Sequence, residues 1–143
     1  MIKKILALLL FFSLILSSFT VLTYGKSSSK VIVTVELQTV ECVDNNHVGN
    51  EWVFGATVNK KELNEGDSVE ITTTSTGKIT IVSMAEEQDK YPDYGSKSLT
   101  VSVGKLKAGS NNTYTSNVTV TENRGRYSGN TAVWKFTYLI TRN

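Results

Sequence analysis

The sequence predicts an all-β protein, an antiparallel eight-stranded β-sandwich that follows a cleaved signal peptide. Three observations indicate this fold. After residue 30, apolar side chains recur at every second position, which is the period of a half-buried strand. Thr and Val are abundant and Pro92 is the single proline, a composition that favours strands. Gly and Asn separate the apolar runs as turn residues do. A closed barrel is the alternative architecture.

The first 25 residues predict export. Lys3 and Lys4 precede an apolar run over residues 5–16, and Thr23-Tyr24-Gly25 offers small residues at a cleavage site. We therefore expect a signal peptide over residues 1–25, a flexible leader over residues 26–29 and a sandwich domain over residues 30–143. The protein would be secreted and bacterial, touching the membrane only through this signal. An uncleaved anchor is the alternative, because apolar residues continue to Leu22.

The charge of the domain argues against nucleic-acid binding, and its single cysteine excludes an internal disulfide. The chain has 15 Lys and Arg against 13 Asp and Glu, so removal of Lys3 and Lys4 leaves 13 of each and no net charge. A neutral domain is a poor nucleic-acid binder, because such binding depends on phosphate neutralisation. Cys42 is the only cysteine, which excludes an internal disulfide, so the fold must be stable through packing.

The first half of the domain divides into four strands. In the first strand one face carries Val31, Val33, Val35 and Leu37. The apolar phase then shifts to Val40 and Cys42, which predicts a bulge near residues 38–39. A second strand has its inward residues at Trp52, Phe54, Ala56 and Val58. Asn59-Lys60 predicts a tight turn into a short strand at Lys61–Leu63. Residues 64–67 turn again into a strand at 68–74.

The second half supplies the remaining strands. Residues 79–85 are apolar on both faces, which is typical of a central strand. Strands are also predicted over residues 98–103, 114–121 and 131–140. The last has the most continuous inward face, formed by Ala132, Trp134, Phe136, Tyr138 and Ile140.

The sequence offers little for enzymatic chemistry. His47 is the only histidine. A Ser-His-Asp triad would depend on it, and a zinc site generally needs several His or Cys ligands. Cys42 and His47 are spaced as a nucleophile–base pair could be, but we expect instead a small buried cysteine at a strand end and a solvated loop histidine. Glu86 and Glu87 are adjacent and point to opposite sides of an extended chain. We therefore predict a non-enzymatic protein.

An acidic segment over residues 85–96 predicts a calcium site. Glu87, Asp89 and Asp93 provide hard oxygen ligands, which Ca²⁺ takes in numbers of six to eight. Further ligands could come from residues 41–52. The two loops share one end of the sandwich if four strands separate them, which requires the short strand Lys61–Leu63 to exist.

This pattern resembles the C2 domains, the calcium-dependent lipid-binding β-sandwiches. Asp44, followed by Gly49-Asn50-Glu51-Trp52, resembles their first calcium loop, and the acidic loop ending at Gly95 resembles their third. The resemblance implies a C2-like or immunoglobulin-like sandwich with oxygen ligands. These would be Asp44, Glu51, Glu87, Asp89 and Asp93. Glu51 stands where that family usually has Asp, and Asp93 lies two residues before Gly95 rather than three.

Two other functions fit the sequence. A carbohydrate or cell-wall binding module would use loop side chains to contact a cell-surface component. These are Tyr91, Tyr94, Arg124, Arg126 and Tyr127. The same tyrosines at 91 and 94 would contact a surface ligand in the calcium-dependent case. A structural subunit would instead add strands at unpaired edges, with residues 71–74 and 113–121 as candidates.

Overall fold

The computed structural model describes residues 28–143, so the predicted signal peptide and the start of the leader lie outside the described residues. Eight strands follow one another along the described chain. They are β1 (Lys30–Asn45), β2 (Trp52–Val58), β3 (Lys61–Leu63), β4 (Ser68–Thr74), β5 (Lys78–Glu87), β6 (Asp93–Ser102), β7 (Asn111–Thr121) and β8 (Thr131–Arg142). Short 3-10 turns occur at Val103–Lys105 and Gly125–Tyr127. No helix in residues 28–143 is long and apolar enough to cross a membrane.

The strands form two four-stranded sheets, ordered β4-β1-β8-β7 and β3-β2-β5-β6. Every pairing between these strands is antiparallel, which confirms the eight-stranded sandwich and not the closed barrel. The apolar faces of the two sheets meet in one core, as the period-two pattern predicts. The predicted inward face of β8 is confirmed, with Trp134 half-buried and the other four side chains buried.

Two irregularities in β1 explain its shifting apolar phase. The register against β8 shifts between Leu37 and Thr39, which confirms the predicted bulge. A second shift, between Cys42 and Asp44, was not predicted. Because each extra residue reverses the side-chain alternation, the strand can stay paired with β8 while its apolar side chains change phase.

The short strand β3 is present and fixes the direction of the chain after it. Asn59 and Lys60 both have positive φ, 48° and 71°, as a type I′ hairpin turn requires. Four strands, β2 to β5, therefore separate the β1–β2 loop from the β5–β6 loop. Glu87 pairs directly with Trp52, which confirms that these loops lie at one end of the sandwich.

Strand β6 begins earlier than predicted, at Asp93 rather than residue 98. Its first half pairs with β5 in continuous register, from Glu87 opposite Asp93 to Met84 opposite Ser96. Residues 93–97 were not predicted as a strand because they show little apolar alternation. Tyr94 and Ser96 face outward at a sheet edge. The acidic loop is consequently short, residues 88–92.

A polar contact crosses the core between the two sheets. The hydroxyl groups of Ser83 on β5 and Tyr138 on β8 lie 2.7 Å apart, and both side chains are buried. Burial raises the pKa of Tyr138 to about 12, although the hydrogen bond to Ser83 opposes this shift. The phenol is therefore neutral at physiological pH and joins β5 to β8 without carrying charge into the core.

Candidate functional site

Three loops meet at one end of the sandwich. We call them together the loop end: residues 46–51, 88–92 and 122–130. The backbone N–H of Gln88 donates to the carbonyl of Glu51 over 2.7 Å, and the N–H of Asn46 donates to the carbonyl of Thr131 over 3.0 Å. The rings of His47 and Tyr127 stack at 4.9 Å between centroids. All three loops thus contact one another directly or through strand ends.

The β1–β2 loop is held by its own side chains. Asn45 accepts the backbone N–H of Val48 through Oδ1 at 2.9 Å and donates to the carbonyl of Gly49 at 3.1 Å. Val48 is fully buried and anchors the loop in the core. His47 and Gly49 both have positive φ, so the loop turns sharply on each side of Val48.

Gly49 covers the carboxyl group of Glu87. A methyl group in place of its hydrogen would overlap that carboxyl group, so only glycine permits this approach. As a result Glu87 is only 4% exposed, and its buried Oε2 atom has no hydrogen-bond partner among residues 28–143. A buried carboxylate without a partner is costly, since nothing replaces the water that it loses.

The surroundings of Glu87 raise its pKa above the usual value of 4.5. Burial is the main cause, because it disfavours the charged form, and the negative charges of nearby carboxylates add to the effect. These carboxylates are, in decreasing order of effect, Asp89, Glu122, Asp93 and Glu51. Four of the five predicted calcium ligands therefore belong to one acidic neighbourhood, together with Glu122.

Asp93 has a structural role in this neighbourhood. It is 6% exposed, and both of its oxygens accept hydrogen bonds from Asn123. The backbone N–H donates to Oδ2 at 3.1 Å and the side-chain amide donates to Oδ1 at 2.6 Å. The carboxylate thus holds the start of the β7–β8 loop against β6.

The five predicted metal ligands do not converge on one point. Asp89 accepts the backbone N–H of Tyr91 and so stabilises its own loop. Asp44 lies on β1, paired with Val133 on β8, and so belongs to the sheet that does not contain Glu87. It is not among the carboxylates that affect the pKa of Glu87. Within residues 28–143 no group of three or more Asp, Glu, His or Cys side chains is arranged to hold a metal ion. Calcium binding stays a prediction, and it requires side chains of the loop end to move.

A groove crosses the loop end between the β5–β6 and β7–β8 loops. Its lining includes four of the five predicted contact residues, Tyr91, Arg124, Arg126 and Tyr127, together with Asp89 and Glu122. The guanidinium of Arg124 lies 4.5 Å from the centroid of the Tyr91 ring, and that of Arg126 lies 5.7 Å from the Tyr127 ring. We call this the loop groove.

The fifth contact residue, Tyr94, lies elsewhere. It is the second residue of β6, is paired with Glu86, and is 79% exposed on the outer face of the sheet. The sequence placed it in the same loop as Tyr91, because the early start of β6 was not predicted. Tyr94 therefore cannot be grouped with the loop groove.

The sequence analysis treated Gly49 only as part of the C2-like first loop, and it assigned no role at the site to Glu122 and Asn123. A signal for the last two was available, since two strands separate the β5–β6 and β7–β8 loops and antiparallel order returns the chain to the same end. Gly49 could not be found in this way, because its role depends on its contact with the Glu87 carboxyl group.

Cys42 and His47 do not form a pair. Cys42 is exposed on β1 opposite Trp134. The Nδ1 atom of His47 lies 3.0 Å from the Asn46 side-chain oxygen, and no hydrogen bond within residues 28–143 joins it to Cys42.

Comparison with known proteins gives no family for this chain. No protein-family model matches it, and no curated protein matches it significantly in sequence. The function must therefore be argued from the geometry of the loop end.

Proposed function

We propose that the protein is a secreted, non-enzymatic binding protein whose loop groove captures a hydroxyl-rich carbohydrate of a cell surface or cell wall. The observation that carries this proposal is the assembly of two tyrosines, two arginines and two carboxylates in one groove formed by two loops. Export rests on the sequence pattern of residues 1–25.

The charges of the loop groove favour an uncharged ligand. Arg124 and Arg126 supply donors, Asp89 and Glu122 supply acceptors, and their formal charges cancel. Sugar hydroxyl groups both donate and accept hydrogen bonds, so they can satisfy both kinds of side chain. A phosphate or a metal ion would meet one favourable and one unfavourable pair of charges.

The two tyrosine rings are partly preorganised. Tyr91 is 51% exposed and Tyr127 is 42% exposed, so each keeps surface for a ligand. Arg124 packs on Tyr91 and His47 stacks on Tyr127, which restricts both rings before binding. A ligand that packs against restricted rings loses less conformational entropy, and this favours affinity.

The test is retention of the purified protein on insoluble polysaccharides, namely chitin, cellulose and bacterial peptidoglycan. We expect Tyr91→Ala or Arg124→Ala to weaken retention on the bound polymer by about tenfold, as loss of a central contact does. Tyr94→Ala is the control, because it removes an exposed tyrosine outside the loop groove, and it should bind as wild type. Retention on none of the polymers, or equal loss in all three variants, would refute the proposal.

Calcium binding is the second candidate, and the buried Oε2 atom of Glu87 favours it. A cation would neutralise this carboxylate, and Asp89, Glu51 and Glu122 lie near enough to affect its pKa. In about 2 mM Ca²⁺ we expect the unfolding free energy to rise by about 1 kcal/mol, for a dissociation constant of about 0.5 mM typical of extracellular calcium modules.

Thermal unfolding with Ca²⁺, with Mg²⁺ and with chelator measures this stabilisation. Asp89→Asn should reduce the calcium shift, whereas Asp44→Asn should leave it unchanged because Asp44 lies outside the acidic neighbourhood. An unchanged melting temperature in Ca²⁺ would end the calcium hypothesis and would leave the carbohydrate proposal standing.

A further inference from the structure

The outer face of the β3-β2-β5-β6 sheet carries an unusual apolar surface. Val53, Met84 and Tyr94 are 53%, 41% and 79% exposed. They lie on three adjacent strands. Val53 on β2 and Tyr94 on β6 both pair with Glu86 on β5, and Met84 is two residues before Glu86, so it lies on the same face. The solvent face of an antiparallel sheet is usually polar, so this patch calls for an explanation.

A trough runs through this patch, and we call it the face trough. It is lined by Val53, Gly55, Met84, Glu86, Tyr94 and Ser96. Gly55 interrupts the row of side chains on β2, and the terminal methyl of Met84 leans over it, 3.5 Å from where a Cβ would stand. A flexible methionine above a glycine can move aside for an apolar chain, which makes the trough adaptable.

The face trough carries negative charge and no positive charge. Glu86 is its only charged lining residue among the described residues. Lys97 follows Ser96 on β6, but strand alternation directs it to the opposite face. Glu86 is paired directly with Tyr94, so a carboxylate and an aromatic side chain are neighbours on this face of the sheet. Both groups attract a cation.

We propose that the face trough binds a lysine side chain presented by an exposed segment of a partner protein. The aliphatic stem of lysine would pack along Val53, Gly55 and Met84. Its ammonium group would reach Glu86 and Tyr94. An apolar floor that ends in a carboxylate and an aromatic ring matches a side chain that is apolar along its length and positive at its tip.

The hydrogen bonding of Glu86 favours lysine over arginine. Its Oε1 atom already accepts a hydrogen bond from the side-chain amide of Gln88 at 2.9 Å. A guanidinium binds best to both oxygens of a carboxylate at once, whereas an ammonium is a compact charge that a single oxygen can bind.

The test is an NMR titration of the purified, ¹⁵N-labelled protein with the peptide acetyl-Gly-Ala-Lys-Ala-Gly-amide. Three matched peptides replace the lysine with norleucine, acetyl-lysine or arginine. We expect the lysine peptide to shift the amide signals of Val53, Gly55, Met84 and Tyr94. The norleucine and acetyl-lysine peptides should bind about tenfold more weakly, because each lacks the charge.

Variants of the protein locate the binding. Glu86→Gln should weaken binding of the lysine peptide about two- to fivefold, because it removes the ion pair and leaves the contact with the Tyr94 ring. Gly55→Val should abolish binding by filling the trough, since its backbone suits any residue and a Cβ there makes only ordinary contacts. Glu62→Gln is the control, because Glu62 is an exposed carboxylate on the neighbouring strand β3 and should not matter.

Several outcomes would overturn this inference. Equal binding of lysine and norleucine peptides would show an apolar occupant, and stronger binding of the arginine peptide would show a guanidinium site. Signal changes on dilution without peptide would assign the trough to a second copy of the chain. No shift at these residues up to about 10 mM peptide would exclude a lysine site of meaningful affinity.

Discussion

Gly95→Ala is expected to lower the unfolding free energy by about 3 kcal/mol, at the upper end of the usual cost of overpacking. Gly95 lies on β6, at the edge of one sheet, and faces β7, at the edge of the other. An added methyl would overlap the backbone carbonyl oxygen of Thr119 and would lie 3.1 Å from Val118 Cγ1. A backbone carbonyl within a paired strand cannot turn away as a side chain can, so the two edges would have to separate.

Urea unfolding of Gly95→Ala beside Gly55→Ala measures this effect with a matched control. Both glycines lie within strands of the same sheet, and neither has a positive φ that would strain an alanine. At Gly55 the added methyl meets only Met84 Cε at 3.5 Å, so its stability should be unchanged or slightly higher. Equal stability of the two variants would contradict the close approach of β6 to β7.

The sequence predicts the parts of this fold that follow from alternation and turn chemistry. Eight strands, the bulge near residue 38 and the Asn59-Lys60 turn are confirmed, since each leaves a local pattern of side chains or of turn residues. The early start of β6 leaves no such pattern, because an edge strand needs few apolar side chains. The second bulge near Asp44 was also missed.

The site follows from the sequence only in part. Strand parity brings Glu51, Glu87 and Asp89 to one end, and it depends on the three-residue strand β3. The burial of Glu87 depends on Gly49, and the two hydrogen bonds to Asp93 depend on Asn123. Those contacts join residues 30 or more positions apart. Strand order places the loops at the same end, but a single sequence does not show which of their side chains meet.

Glu87→Gln is expected to raise the unfolding free energy at about pH 8 by about 1 kcal/mol, because a neutral amide costs less to bury without a partner than an ionised carboxylate does. The pKa of Glu87 is higher in the folded protein than its ordinary value of 4.5, so the folded state binds the proton more tightly than the unfolded chain. Its contribution to stability is therefore complete below about pH 4.5 and is lost as pH rises through the folded-state pKa. Glutamine keeps the shape of the neutral acid and removes this loss.

Chemical unfolding at several pH values between about 4 and 8 measures this difference. Wild type should lose stability relative to Glu87→Gln as pH rises. Glu86→Gln is the control, because it removes the adjacent negative charge on the solvent face and should keep the wild-type dependence on pH. If the unfolding free energies of wild type and Glu87→Gln changed equally with pH, burial would not destabilise the ionised carboxylate.

The same variant connects stability to calcium. A cation that binds the ionised Glu87 carboxylate competes with a proton for one group, so calcium should restore at pH 8 the stability that wild type loses on ionisation. Glu87→Gln removes the ionised group, and its melting temperature should not respond to Ca²⁺. A calcium shift that persists in Glu87→Gln would place any bound ion on the exposed carboxylates of the loop end. Glu87 would then not be a metal ligand. Its burial would be a destabilising consequence of the packing of Gly49 against β5.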